Sequence, residues 1–260
     1  MRFVRYQIGQ GEPRFGWVYE DRVGSLEGTP FGEFRRMEAE IPLESVRLLA
    51  PVLPGKIICV GRNYEEHAKE LNNPVPDIPL LFLKPPSSVI ATGEKIVLPP
   101  QSRQVDHEGE LVVVIGKRGR WIPPERALEH VFGYTIANDV TARDLQRRDV
   151  QFTRGKGFDT FCPLGPWIET DFDLTDALVT CRVNNEMRQM ASTREMIFSV
   201  PQLIAFISSV MTLEAGDIIL TGTPAGVGPL TANDGVEVSI EGIGVLRNPV
   251  VMEDTERRTF

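Results

Sequence analysis

Glycine occurs 23 times and proline 20 times in the 260 residues, and both are spread from one end of the chain to the other. The apolar runs between them are short. Runs rich in β-branched and aromatic residues, bounded by turn residues, predict strands joined by turns. The even spread argues against a low-complexity tract. Clear helical periodicity occurs over 201–211, where Leu203, Phe206, Ile207 and Val210 share a face behind Ser199. The expected fold class is therefore mainly β with few helices, and without regular βαβ alternation.

Strands are expected at 3–6, 15–19, 23–26, 56–60, 80–82, 108–115, 132–138, 218–221, 236–240 and 245–250. The stretch 41–51 reads as a connector closed by Pro51 and Pro54. It sets a boundary near residue 52, between a small N-terminal β domain over 1–52 and a larger domain over 53–260. Asn63, followed three residues on by Glu66, has capping-box spacing and predicts a helix over 64–71. A second short helix is expected over 124–131.

Charge narrows the choice of partner. With 28 Lys and Arg against 36 Asp and Glu, the net charge is −8. Such a chain has no general field to draw in phosphate backbones or anionic lipid, so neither nucleic acid nor a membrane surface is the expected partner. No stretch reaches the roughly 20 apolar residues of a membrane span. The opening residues lack the apolar run of a secretory signal. Cys59, Cys162 and Cys181 lie far apart and form no paired motif, which fits a reducing cytoplasm.

The residues that carry chemistry sit at the ends of apolar runs. Glu108 and Glu110 flank Gly109 at the head of an apolar strand, so alternation puts both carboxylates on one face. Buried, they require a cation or raised pKa values. A hard divalent ion with oxygen ligands satisfies both, and that means Mg²⁺, with Mn²⁺ or Ca²⁺ as substitutes. Exposed, they are two surface glutamates on a strand end. Asp139, after another apolar strand, can complete a three-carboxylate shell, or it can cap the stretch 142–148. His67 and Glu70 are three apart on the expected helix and share a face. An imidazole oriented by a carboxylate is a general base, and the alternative is an incidental surface ion pair. Lys156 stands between Gly155 and Gly157, free to reach a substrate oxyanion or to lie exposed in a turn. The loop 221–228 is Gly- and Pro-rich but lacks the Gly-Lys-Ser/Thr of a phosphate loop. No Gly-x-Ser-x-Gly elbow is present.

Taken together, six segments resemble the fumarylacetoacetate hydrolase family, in the family's order over most of 56–250. They are Gly61-Arg62-Asn63-Tyr64-Glu65-Glu66-His67, Leu81-Phe82-Leu83-Lys84-Pro85, Asp106-His107-Glu108-Gly109-Glu110-Leu111, Asp139-Val140-Thr141-Ala142-Arg143-Asp144-Leu145-Gln146, Lys156-Gly157-Phe158-Asp159 and the run from Gly216 to Gly228. The resemblance implies a mixed β-sandwich roll for the large domain, a homodimer and Mg²⁺ at Glu108, Glu110 and Asp139. It implies a catalytic dyad of His67 and Glu70 on a segment acting as a lid over 64–76. Lys156 is then placed at the reacting group, and Arg62, Arg143, Gln146 and Thr223 around a bound substrate. Val60 stands where larger members carry a fourth metal carboxylate, as in the shorter members.

The activity implied is a Mg²⁺-dependent reaction on a small 2-oxo acid through an enolate. Hydrolysis of a C–C bond in an acylpyruvate is the first expectation. The alternatives are isomerisation of a 2-hydroxyhepta-2,4-diene-1,7-dioate and decarboxylation of oxaloacetate or an oxopentenetricarboxylate. Two readings from other classes stand beside it. One is a non-catalytic small-molecule-binding protein that keeps the fold. The other is a metal-free hydrolase using Cys59 or Cys162.

Overall fold

The computed structural model describes residues 1–254, so the last six positions of the expected 53–260 domain lie outside the described residues. One large sheet organises the chain. From one edge to the other it runs through Phe34–Pro42, Arg22–Gly28, Arg14–Tyr19, Arg2–Gln7, Cys162–Glu169, Val131–Asn138, Gly109–Ile115, Ile218–Leu220, Ile57–Gly61 and Leu80–Lys84. Adjacent strands along this path are antiparallel except Ile218–Leu220 and Ile57–Gly61, which run parallel. A second sheet of five strands, Glu186–Ser192, Leu178–Val183, Gly235–Ile240, Gly244–Met252 and Ile96–Leu98, lies across it. A three-stranded patch, Thr141–Ala142, Val105–His107 and Gly228–Pro229, joins the ends nearest the site.

Alternation along Gly109–Ile115 divides the core. Leu111, Val113 and Ile115 face the second sheet and pack with Val179, Val238 and Leu203. Val112 and Val114 face the other way, with Ala137, Leu164 and Ile218. Both faces are buried, so the strand reads as an unbroken apolar run rather than an alternating one. Among the described residues, four α-helices complete the frame: α1 (Glu65–Glu70), α2 (Arg143–Asp149), α3 (Thr153–Lys156) and α4 (Val200–Val210). Among the described residues, no helix is long and apolar enough to cross a membrane.

Several expectations are revised. Residues 34–42 form an edge strand that the sequence reading left out, because its side chains are almost all exposed and carry no apolar signal. The N-terminal hairpins continue the main sheet, since Arg2–Gln7 pairs with Cys162–Glu169. The short helix expected over 124–131 is present as the 3-10 helix Pro124–His130. Asn63 does not cap α1, whose N-cap is Tyr64 without a side-chain bond. The Asn63 side chain is buried instead. It accepts from Phe198 N (2.7 Å) and donates to Phe198 O (3.0 Å) and Thr221 O (2.8 Å). Three backbone bonds to distant chain outweigh one cap bond.

Candidate active site

A cavity of about 380 Å³ opens where the central strands of the main sheet end. Arg62, His67, Glu108, Glu110, Asp139, Arg143, Gln146, Lys156 and Thr223 all line it. The strands explain the convergence. Glu108 falls in the break between Val105–His107 and Gly109–Ile115, and Glu110 follows on the second of these. Asp139 ends the neighbouring strand, with its N–H bonded to Glu108 O at 2.8 Å. It does not cap α2, whose N-cap is Ala142. Gly109 between the two glutamates has no room for a side chain, because a Cβ there would meet Val238 Cγ1 at 2.9 Å.

Glu108, Glu110 and Asp139 present carboxylate oxygens that lie within 4.8 Å of one another, and all three residues are buried. Their partners are lysines and an arginine. Lys156 Nζ donates to Glu108 Oε2 and Asp139 Oδ2, both at 2.6 Å. Lys84 Nζ donates to Asp139 Oδ1 at 2.7 Å. Arg143 bonds Glu108, Asp106 (2.8 Å) and Gln146 (2.7 Å). Lys156 is thus neither exposed nor in a turn; it ends α3 and is buried.

Counting charges exposes an imbalance. Asp106, Glu108, Glu110 and Asp139 are buried with Lys84, Arg143 and Lys156, which leaves one negative charge over. Glu110 holds it. Its carboxylate accepts from Gly222 N at 2.7 Å and has no ion pair among the described residues. Burial, and then repulsion from Asp139 and Glu108, push its pKa well above the usual carboxylate range against the pull of Lys156. Burial also pushes Glu108 upward, but Lys156 and Arg143 outweigh it and hold Glu108 well below that range. An uncompensated buried carboxylate costs several kcal/mol. Three converging oxygen donors with one charge in excess therefore fit a hard divalent cation, and the chain has the residues to hold one.

Gly222 is obligatory for this arrangement. It adopts φ +99°, and a Cβ would approach Asn63 Cβ at 2.7 Å and Val60 O at 3.2 Å. Only glycine combines that conformation with the close approach.

Opposite the acids stands His67 on α1, 5% exposed. Its Nδ1 lies 3.5 Å from Glu70 Oε2 and has no hydrogen-bond partner. Both Glu70 oxygens accept from Gly226 N at 3.1 Å. Burial lowers the His67 pKa, with Arg143 and Lys156 adding to the effect and Glu108 and Glu70 opposing it. The imidazole is therefore neutral near pH 7 and free to take a proton. Cys59 and Cys162 are fully buried behind the site, with thiol pKa values pushed up by burial, for Cys162 to about 12. Such thiols are inert, and the metal-free thiol hydrolase loses its nucleophile.

Three residues of the site were not assigned a role from sequence. Lys84 had a visible signal, a lysine ending the apolar run Leu80-Leu81-Phe82-Leu83. Gln189 had none, since its partners lie 34 or more positions away, and the main partner of Asp106, Arg143, lies 37 away.

Three converging buried carboxylates, which could hold a metal ion, face a histidine–carboxylate pair across the cavity at the end of a mainly β fold. Residues 56–251 match the family described as fumarylacetoacetate (FAA) hydrolase C-terminal, and residues 1–51 match one described as Rv2993c-like, N-terminal. The chain belongs to the fumarylacetoacetate hydrolase family. It is 46% identical to the Homo sapiens mitochondrial oxaloacetate tautomerase FAHD2A over 233 residues, 84% of this chain and 74% of that one. The solved 5-carboxymethyl-2-hydroxymuconate delta-isomerase of Mycobacterium smegmatis matches with a TM-score of 0.91 at 44% identity, over 97% of this chain and all of the other. The fumarylacetoacetate hydrolase of Exiguobacterium antarcticum matches with a TM-score of 0.85 at 42% identity, over the same shares.

Proposed function

We propose that the chain is a divalent-metal-dependent enzyme, with Mg²⁺ as the cation, that moves a proton on a small 2-oxo acid and so interconverts its keto and enol forms. The observation that carries this reading is the buried His67, 3.5 Å from Glu70, facing three buried acids whose oxygens converge closely enough to hold a cation. A cation held by Glu108, Glu110 and Asp139 supplies Lewis-acid polarisation of the 2-oxo group. The imidazole of His67 takes a proton from the carbon next to that group, and Glu70 stabilises the resulting imidazolium. Return of the proton to oxygen gives the enol. Lys156 keeps its charge: burial opposes it, but Asp139 and Glu108 hold the pKa above the usual lysine value. Two of its three hydrogens are committed to carboxylates, which leaves one for a developing oxyanion. Arg62 and Gln146, on the cavity wall, complete the substrate contacts.

Hydrolysis of an acylpyruvate C–C bond is the second reading. There His67 takes its proton from water instead. Kinship with the Exiguobacterium hydrolase favours it, while the tautomerase and the isomerase, at slightly higher identity, favour proton transfer alone.

A spectrophotometric panel with Mg²⁺ tests both readings, using oxaloacetate, acetylpyruvate, fumarylpyruvate and a 2-hydroxymuconate-type diacid. Faster enol–keto interconversion that a chelator abolishes is the expected result. Acylpyruvate cleavage without tautomerase activity reverses the order of the readings. Turnover of none of them leaves the non-catalytic binding protein.

A further inference from the structure

Gln189, on Glu186–Ser192 of the second sheet, is 1% exposed and has every hydrogen-bonding position of its amide engaged. Oε1 accepts from Gly109 N at 3.0 Å and faces His107 Nδ1 at 3.2 Å. Nε2 donates to Pro224 O at 2.8 Å and to Thr223 Oγ1 at 2.7 Å. Oxygen and nitrogen of an amide are often interchangeable in a structure. Here they are not. Gly109 N–H can only donate, so oxygen must face it, and Pro224 C=O can only accept, so nitrogen must face that.

The consequence passes to Thr223. Its hydroxyl receives a hydrogen from Gln189, so its own hydrogen goes elsewhere, to Gly109 O at 3.0 Å. A threonine hydroxyl has one hydrogen and two lone pairs. The hydrogen and one lone pair are spent, and a single lone pair is all that Thr223 can offer to a ligand in the cavity it lines. A carboxylate oxygen set against it would meet oxygen with no hydrogen between them. An O–H would be accepted.

We propose that Gln189 is a positioning residue that fixes Thr223 as a hydrogen-bond acceptor, so that the cavity receives a proton-bearing oxygen there: a hydroxy or enol form of the ligand. This rests on reading the site as one for 2-oxo acids. It assigns Thr223 a preference between the two forms that such an acid interconverts.

The test is calorimetric, on the Mg²⁺-loaded protein, with 2-hydroxysuccinate and 2-methoxysuccinate as probes. They share charge and carboxylates and differ in the O–H. The wild type is expected to prefer the hydroxy acid by about tenfold, the worth of one hydrogen bond. Thr223→Ser keeps the preference and Thr223→Val removes it. Gln189→Met removes it too, because the Thr223 hydrogen is then free to turn; a merely structural role would weaken both probes alike and leave the ratio. Equal binding of the two probes by the wild type, or an unchanged ratio in Thr223→Val or Gln189→Met, overturns the proposal and leaves the 2-oxo acid reading standing. Binding of neither probe overturns both. Should Gln189→Met not fold, amide exchange by NMR decides the role of Gln189. Both Nε2 hydrogens are expected to be protected in the wild type, with one of them shifted by Thr223→Val. Exchange as fast as that of an exposed glutamine overturns the assignment.

Discussion

Glu108, Glu110 and Asp139 stand at the ends of middle strands in a sheet packed on both faces, whereas His67 and Glu70 ride on a six-residue helix between two loops. The acid side is tied by ion pairs of 2.6–2.8 Å among fully buried groups. The base side has a 3.5 Å approach between imidazole and carboxylate and two 3.1 Å bonds to Gly226 N. The acid side is thus the more tightly bonded of the two, and the histidine side the more loosely held. The two sides should respond differently to substitution, and four measurements probe that difference.

The largest effect falls on turnover. His67→Ala should lower kcat by about 10²–10⁴-fold, the usual worth of a general base. Mg²⁺ affinity by calorimetry should stay within error, because His67 is not among the three acids. A parallel fall in both would mean that the two sides are one unit. Next comes stability. Lys84→Met leaves Asp139 with Lys156 alone and should destabilise the fold by about 3–5 kcal/mol in urea melts, as breaking a buried pair does. A change under 1 kcal/mol would show the acid side to be softer than its geometry.

The pH profile of kcat/KM comes third. If His67 is the base, as proposed, its neutral form is the active one and activity falls as pH drops through its pKa. Burial, Arg143 and Lys156 lower that pKa, which puts the acid limb below the ordinary imidazole value of about 6.5. Glu70 raises it, so Glu70→Gln should move the limb further to acid. A limb above 6.5 would contradict the arrangement. The smallest effect concerns the rim. Val150 has φ +62° and ψ −42°, in a tight turn closed by Gln151 N–Asp149 O at 2.6 Å, and is 82% exposed. A β-branched residue is strained there. Val150→Gly should raise stability by about 1 kcal/mol, strain relief being partly offset by chain entropy.

Strand alternation puts Glu108 and Glu110 on one face by a local rule, but it left open whether they were buried or exposed, and only the family resemblance joined Asp139 to them. His67 and Glu70 were placed together by a local rule too, through helical spacing. Lys84, Asn63 and Gln189 obey no local rule: Asn63 has the spacing of a cap and serves instead as a clamp on residues 198 and 221. A buried polar side chain takes its meaning from partners that the fold supplies, here 34 to 158 positions away in the chain. The edge strand Phe34–Pro42 was missed for the opposite reason, since exposure removes the apolar pattern that marks a strand.

The parallel pairing of Ile57–Gly61 with Ile218–Leu220 brings the loops that follow both strands to the same side, where residues 61–62 and 223 meet over the cavity. Their register is held by main-chain bonds deep in the sheet, and Asn63 stitches the loop tops through Thr221 O. Exchanges beyond these two strand ends that keep Asn63 and Gly222 can therefore redraw the cavity while leaving the ladder beneath in place. For protein engineering, that makes the pair a socket: new substrate shapes can be sought by grafting at two places, with folding left to the rest of the chain.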